Sequence, residues 1–152
     1  MQELSQTAEE QRISKEFTFP GDTESMSAAR DAVMEFIQPY CASELEETDI
    51  LIALQEALAN AVLHGCGNDP SKTVCCRVEV DSGAFIITVR DPGPGFDVGA
   101  VTQCTEAGAN LMTHGRGICL MRSLVDEVVY RKGGSEVQLR KLRALPSSVA
   151  ER

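Results

Sequence analysis

The stretch Ser43–Gly65, SELEETDILIALQEALANAVLHG, governs how the rest of the chain is read. Ser43 stands where a helix N-cap is expected, and Glu44, Glu46 and Glu47 follow it, acids that suit the positive end of a helix dipole. Leu51, Leu54, Leu58 and Val62 then recur at three- and four-residue steps, the period of a helix and not of a strand. At about 100° per residue, Glu56, Asn60 and His64 fall on the opposite side, one turn apart. Between Ile50 and Gly65, Glu56 is the only charged side chain, and its neighbours are Ala53, Ala57, Ala59 and Ala61. A solvated face would carry several Lys, Glu or Arg at such positions. The helix therefore reads as buried on most sides, with one carboxylate and one amide on a face of small residues. Burying a carboxylate without partners is costly, so a ligand, a metal or a hydrogen-bond network is implied there. On this helix alone, an incidental polar stripe at the domain surface is an equally good reading.

Composition narrows the class. A chain of 152 residues is long enough for one domain with a real core. Its 43% hydrophobic and 24% charged content is ordinary for a soluble globular protein, and no run approaches the roughly 18 apolar residues of a membrane span. The opening MQELSQTAEEQRISKEF is polar and acidic and does not read as a secretory signal. A formal net charge of −9 argues against binding to a nucleic-acid backbone but leaves a small anionic ligand open. Cys41, Cys66, Cys75, Cys76, Cys104 and Cys119 form no C-x-x-C pair, and adjacent Cys75 and Cys76 would point to opposite faces of a strand. Reduced thiols and a cytoplasmic setting are expected, without a zinc site.

In chain order, residues 1–15 read as a flexible lead-in, 16–143 as the domain and 144–152 as a frayed tail. Glu16–Phe19 suggests a short edge strand before Pro20-Gly21. A first helix is expected from Asp22 or Thr23 to about Cys41, closed by Pro39, with Met26, Ala29, Val33, Phe36 and Ile37 as its apolar stripe. Arg30 on this helix is the only Lys or Arg between Lys15 and Lys72, and by itself reads as a solvated helix charge. Val74, Cys76, Val78 and Val80, then Phe85, Ile87 and Val89 across an Asp81-Ser82-Gly83 turn, predict an antiparallel hairpin with one core face. Residues 97–114 have no period and read as a mobile loop. A third helix is expected to begin at Gly115-Arg116-Gly117, and a last hairpin to flank Gly133-Gly134.

Several chemistries fail on their motifs. The chain has no G-x-x-x-x-G-K-[ST], no complete dinucleotide fingerprint and no G-x-S-x-G. Three elements remain, in order: Glu-x-x-x-Asn on a helix, Asp91-Pro92-Gly93-Pro94-Gly95 at a strand end, and Gly115-Arg116-Gly117 at a helix start. Each has a use in holding a nucleotide. Asn60 offers a neutral oxygen to Mg²⁺, and Glu56 can act as a base near a terminal phosphate. Asp91 can accept a hydrogen bond from an exocyclic amino group, while Gly93 and Gly95 let a ring lie against backbone. Gly115 and Gly117 can present amide N–H groups to phosphate, and Arg116 can add a charge-assisted contact.

The segments NAVLHG after a glutamate, DPGPGF, and HGRGICLMRSLVDEV resemble the N, G1 and G2 boxes of the gyrase/heat-shock-chaperone/histidine-kinase/MutL ATPase superfamily. Within it the chain is similar to the bacterial anti-sigma factor serine/threonine kinases, over roughly residues 16–141. The resemblance implies an α+β Bergerat fold, a two-layer sandwich with a mixed, mostly antiparallel sheet, helices on one face and a mobile ATP lid. By position, Glu56 resembles the family's catalytic base, Asn60 its magnesium ligand and Asp91 its adenine-reading aspartate. Gly93, Gly95, Gly115 and Gly117 match the loop glycines, and Arg30 falls where such a kinase presents an arginine to its partners. One departure is that Thr113-His114 precedes the second glycine box where some members carry a basic residue, with Arg116 inside the box. Another is a lid whose only charge between Val98 and His114 is Glu106.

The resemblance implies an ATP- and Mg²⁺-dependent anti-sigma factor that phosphorylates an anti-anti-sigma partner and sequesters a sigma factor, as a cytoplasmic homodimer without nucleic-acid or membrane contact. The alternative is a nucleotide-binding sequestering module without significant phosphoryl transfer. Retention of both Glu56 and Asn60 favours the enzyme, since adenine binding alone needs no base.

Overall fold

The computed structural model describes residues 12–98 and 113–144. Residues 1–11 of the expected 1–15 lead-in, 99–112 of the expected 97–114 loop and 145–152 of the expected 144–152 tail lie outside them. Ile13–Lys15 belong to the first strand, not to a flexible lead-in.

The sheet grows from the alternating segments. β2 (Asp69–Val80) and β3 (Ala84–Arg90) pair antiparallel, with Val78 opposite Ile87. The Asp81 carboxylate closes the turn, accepting the N–H groups of Gly83 and Ala84, each at 2.8 Å. Val74, Cys76, Val78 and Val80 on one strand and Phe85, Ile87 and Val89 on the other are all buried. β1 (Ile13–Gly21) pairs only with β2, as an edge strand should, and is longer than Glu16–Phe19 because its register with β2 extends back to Ile13. β4 (Glu127–Arg131) and β5 (Glu136–Leu142) form the last hairpin, and β5 docks on β3. The order is β1-β2-β3-β5-β4, and all four described pairings are antiparallel.

Among the described residues three α-helices cover the apolar face of this sheet, leaving the other face to polar side chains such as Glu16, Arg77, Thr88 and Gln138. α1 (Thr23–Ile37) is capped by Asp22, whose carboxylate accepts the Ser25 N–H at 2.9 Å. It ends at Ile37, short of the expected Cys41, because Pro39 tightens Gln38–Tyr40 into a 3₁₀ turn. α2 (Glu44–Asn60) begins at its expected cap, Ser43 accepting the Glu46 N–H at 3.1 Å. Its Ile50, Leu54 and Leu58 are fully buried, each worth about 1.5–3 kcal/mol in transfer from water. α3 (Thr113–Leu124) packs along α2 and buries Ile118 and Met121. It starts two residues before its first glycine, earlier than the glycines suggest.

Two features of α2 depart from expectation. Glu46 is not a solvated first-turn acid; it is 6% exposed and accepts the N–H groups of Ala42 (2.9 Å) and Ala144 (2.8 Å). It thereby ties the helix start to the chain after β5. The α-helix also stops at Asn60, and Ala61–Gly65 forms a π-turn, with the Cys66 N–H reaching five residues back to the Ala61 carbonyl at 2.9 Å. Gly67 and Asn68 then reverse the chain with φ of 64° and 58°. The Asn68 side chain accepts the Thr23 N–H at 3.0 Å, fastening this reversal to the start of α1.

Candidate nucleotide-binding site

The wide π-turn carries Gly65 up against the end of β3. There a cavity of about 200 Å³ opens between α2 and the sheet. Its floor is one row across three strands: Val89 on β3 is opposite Val137 on β5, which is opposite Tyr130 on β4. Ala57, Asn60, Ala61 and His64 form the helical wall, and Asp91, Gly95 and Phe96 form the end wall. Ala57 and Ala61 thus leave room for a ligand, whereas Ala53 is packed in the core and Ala59 does not line the cavity.

Asp91 is held by tight local geometry. It accepts the Gly93 N–H at 2.8 Å, and its own N–H reaches the Ser135 carbonyl at 3.0 Å. Gly65 touches it so closely that a Cβ there would fall inside the carboxylate. A Cβ on Gly93 would lie 2.7 Å from the Gly65 Cα and 2.9 Å from Asp91 Oδ1. Gly95 adopts φ of 77°, the left-handed region, with its α-carbon turned against the Gly133 backbone. The glycines at 93 and 95 are therefore required to bring the turn over the cavity. Burial raises the Asp91 pKa, partly offset by the Gly93 hydrogen bond. A half-buried carboxylate whose hydrogen bonds among the described residues come from one amide has acceptor capacity left for an amino group.

At the other end, α3 crosses Asn60 and Glu56. A Cβ on Gly117 would stand 3.1 Å from Glu56 Oε2 and 3.3 Å from Asn60 Nδ2. Glu56 and Asn60, one turn apart on α2, thus converge on one glycine. Because α3 starts at Thr113, the Gly115 amide is among the N-terminal N–H groups with no partner within the helix, whereas Arg116 and Gly117 fall where i→i−4 bonding has begun. Gly115 can offer its N–H to an anion, and Gly117 contributes by its missing side chain. Asn60 Nδ2 is buried without a hydrogen-bond partner, as is the Tyr130 hydroxyl, and both residues line this cavity. The orphaned Nδ2 is a hydrogen donor that suits a phosphate oxygen. Asn60 Oδ1 and the Glu56 carboxylate are oxygens of the kind that fit Mg²⁺, which takes one or two protein oxygens and completes its shell with water and phosphate.

The structure therefore brings together Asn60, Asp91 and Gly95 around the cavity, with Gly93 behind Asp91; Glu56 and Gly117 are not among its lining residues and adjoin it through Asn60. The Arg116 side chain lies outside the described residues. Arg30 is elsewhere, in a groove between α1 and α2 that shares no lining residue with the cavity. There it bonds Asp31 at 3.1 Å and reaches Gln55 at 3.5 Å. Sequence reasoning missed Gly65, which reads as a loop start, and Tyr130, which reads as a plain strand residue. The pairing of Tyr130 with Val137 and Val89 was available from alternation once both hairpins were placed.

A cavity that joins a half-buried aspartate, an orphaned helix asparagine and glycine turns on an antiparallel α+β sandwich defines a nucleotide-binding ATPase domain. The chain belongs to the histidine kinase-like ATPase domain family, whose pattern matches residues 19–141. Among similar proteins, an anti-sigma F factor of Geobacillus stearothermophilus is 32% identical over 128 residues, covering 81% of this chain and 88% of that protein. One from Halalkalibacterium halodurans is 32% identical over 113 residues, covering 73% and 77%. Two solved structures share the fold. The RsbU and RsbW domains of a Mycobacterium tuberculosis protein align with a TM-score of 0.57 at 19% identity, over 88% of this chain but only 32% of the longer one. The SiaB–SiaC complex of Pseudomonas aeruginosa aligns with a TM-score of 0.56 at 14% identity, over 93% and 95%. Among the described residues no helix is long and apolar enough to cross a membrane.

Proposed function

We propose that the chain is an anti-sigma factor with ATP-dependent serine/threonine kinase activity, acting in the cytoplasm as a homodimer on an anti-anti-sigma partner and on a sigma factor. The observation that carries this reading is the convergence of Glu56 and Asn60 on Gly117, with Asn60 lining the same cavity as Asp91. The anti-sigma relatives, similar over most of their length, support the choice of partners.

In this reading Asp91 accepts the exocyclic amino group of adenine, and Gly93 and Gly95 let the ring approach the backbone. Gly115 and Arg116 receive phosphate oxygens at the start of α3. Asn60 holds Mg²⁺, which when bound neutralises charge on the phosphates. Glu56 takes the proton from the partner's serine hydroxyl. The serine oxygen then bonds the γ-phosphorus as its bond to the bridging oxygen breaks, and ADP leaves. Arg30 and the groove around it form a partner contact remote from the cavity. Partners that prefer the ATP or ADP form would compete for the protein and make a switch.

The test is incubation of the purified chain with γ-labelled ATP and a serine-containing candidate partner. Transfer that is lost in Glu56→Ala while nucleotide binding persists supports the kinase. Nucleotide binding with no transfer to any partner would instead identify a sequestering module.

A further inference from the structure

We propose that the Tyr130 hydroxyl is a base-reading group of this cavity, donating a hydrogen bond to a ring nitrogen of the bound purine. The inference rests on the nucleotide reading above and deepens it.

Tyr130 occupies the end of the floor row, on the outermost strand of the sheet. Its ring is fixed edge-on against Phe96, with centroids 5.3 Å apart and planes at 78°. Phe96 is in turn held in place, its N–H bonding the Gly133 carbonyl at 2.8 Å. Both residues line the cavity together with Asp91 and Gly95, and the turn that follows Tyr130 accepts the Asp91 and Phe96 N–H groups at Ser135 and Gly133. The hydroxyl is buried and has no hydrogen-bond partner. Burial drives its pKa well above the ordinary phenol value despite the opposing charge of Arg122, so the group stays a neutral donor.

Packing does not require that oxygen. A phenylalanine would keep the contact with Phe96 and fill the same floor, without stranding a polar atom. An unpartnered buried hydroxyl is unfavourable in the free protein and is relieved by a ligand acceptor. Purine ring nitrogens are acceptors of the right kind and would enter here, beside a carboxylate that takes the amino group. Asp91 and Tyr130 would then read two different edges of the same base, one as acceptor and one as donor.

The test compares the purified wild-type chain with Tyr130→Phe by calorimetric titration with ADP and its 1-deaza, 3-deaza and 7-deaza analogues, alongside thermal melting. The variant should bind ADP about three- to tenfold more weakly, the loss of one neutral hydrogen bond. One of the three analogues should lose a similar factor on the wild type and nothing further on the variant. Without nucleotide, the variant should melt higher by a few degrees, on the order of 2–5 °C. A structural hydroxyl would give the reverse, a lower melting point with all analogues weakened alike, and that result overturns the inference. Equal ADP affinity in the two proteins also overturns it while leaving the nucleotide reading intact. A wild type that takes up no ADP removes both.

Discussion

Replacing Asp91 with asparagine should separate function from stability in opposite directions. The side chain keeps its shape, and the amide oxygen can still accept the Gly93 N–H that Asp91 Oδ1 now takes at 2.8 Å, so the turn should survive. What changes is the second oxygen, which becomes an NH₂ group. An amino group of adenine would lose a hydrogen bond to a charged acceptor, about 1.5–3 kcal/mol, and would face a donor left unsatisfied, about 1–3 kcal/mol more. The combined loss is on the order of 3–5 kcal/mol, at least about a hundredfold in Kd. Isothermal titration with ADP reads this directly. In the free protein the sign reverses. Burial makes the ionised carboxylate unfavourable, so its pKa is raised on folding. The stability tied to that raised pKa is fully present below the unfolded pKa and is lost as pH rises through the folded one. At neutral pH the wild type therefore carries the cost of the charge and Asp91→Asn does not, so the free variant should melt slightly higher. Nucleotide affinity of the wild type should also fall on acidification from above the usual carboxylate range, a step missing from the variant. ADP affinity within a few fold of wild type, or a lowered melting point in the free variant, would refute this account of Asp91.

Other outcomes follow from specific contacts. Gly117→Ala adds a Cβ 3.1 Å from Glu56 Oε2 and 3.3 Å from Asn60 Nδ2. Helix propensity gains up to about 1 kcal/mol, so the fold should hold, but displacing those two side chains by tenths of an ångström should slow phosphoryl transfer roughly tenfold or more. Single-turnover kinetics beside thermal melting would check both halves, and an unchanged rate would count against the convergence on Gly117. Glu46→Ala strands the N–H groups of Ala42 and Ala144 at the base of α2. It should cost about 2–4 kcal/mol in urea unfolding, against a few tenths for the exposed Glu44.

Local chemistry was legible wherever it was settled by neighbours in sequence. The Ser43 cap, the alternation of Val74 to Val80 and the Asp81 turn each depend on residues within a few positions, and each formed as read. The pairing of Asn60 with Asp91 was legible through motif order, since three glycine-marked elements leave few ways to build a pocket. What was hidden depends on distant partners. Glu46 looks like any first-turn acid until Ala144, brought in by β5, supplies an amide. The π-turn after Asn60 has no periodic signature, because AVLHG satisfies a helical pattern equally well; it is the reversal at Gly67 and Asn68 that favours the longer turn. Gly65 and Tyr130 acquire meaning only when β3 and β4 are set beside α2. The phosphate end stayed least legible, since its geometry depends on where α3 begins, and Gly115 and Gly117 mark that start only to within a turn.

The central claim is that one cavity takes adenine at Asp91 and phosphates where Glu56 and Asn60 meet Gly117. Amide chemical-shift mapping of the labelled chain on addition of ADP and Mg²⁺ examines it residue by residue. Saturable shifts should gather at Asn60, Gly65, Asp91, Gly93, Gly95 and Gly117, leaving the groove around Arg30 quiet. Shifts confined to that groove, or none at millimolar nucleotide, would contradict it.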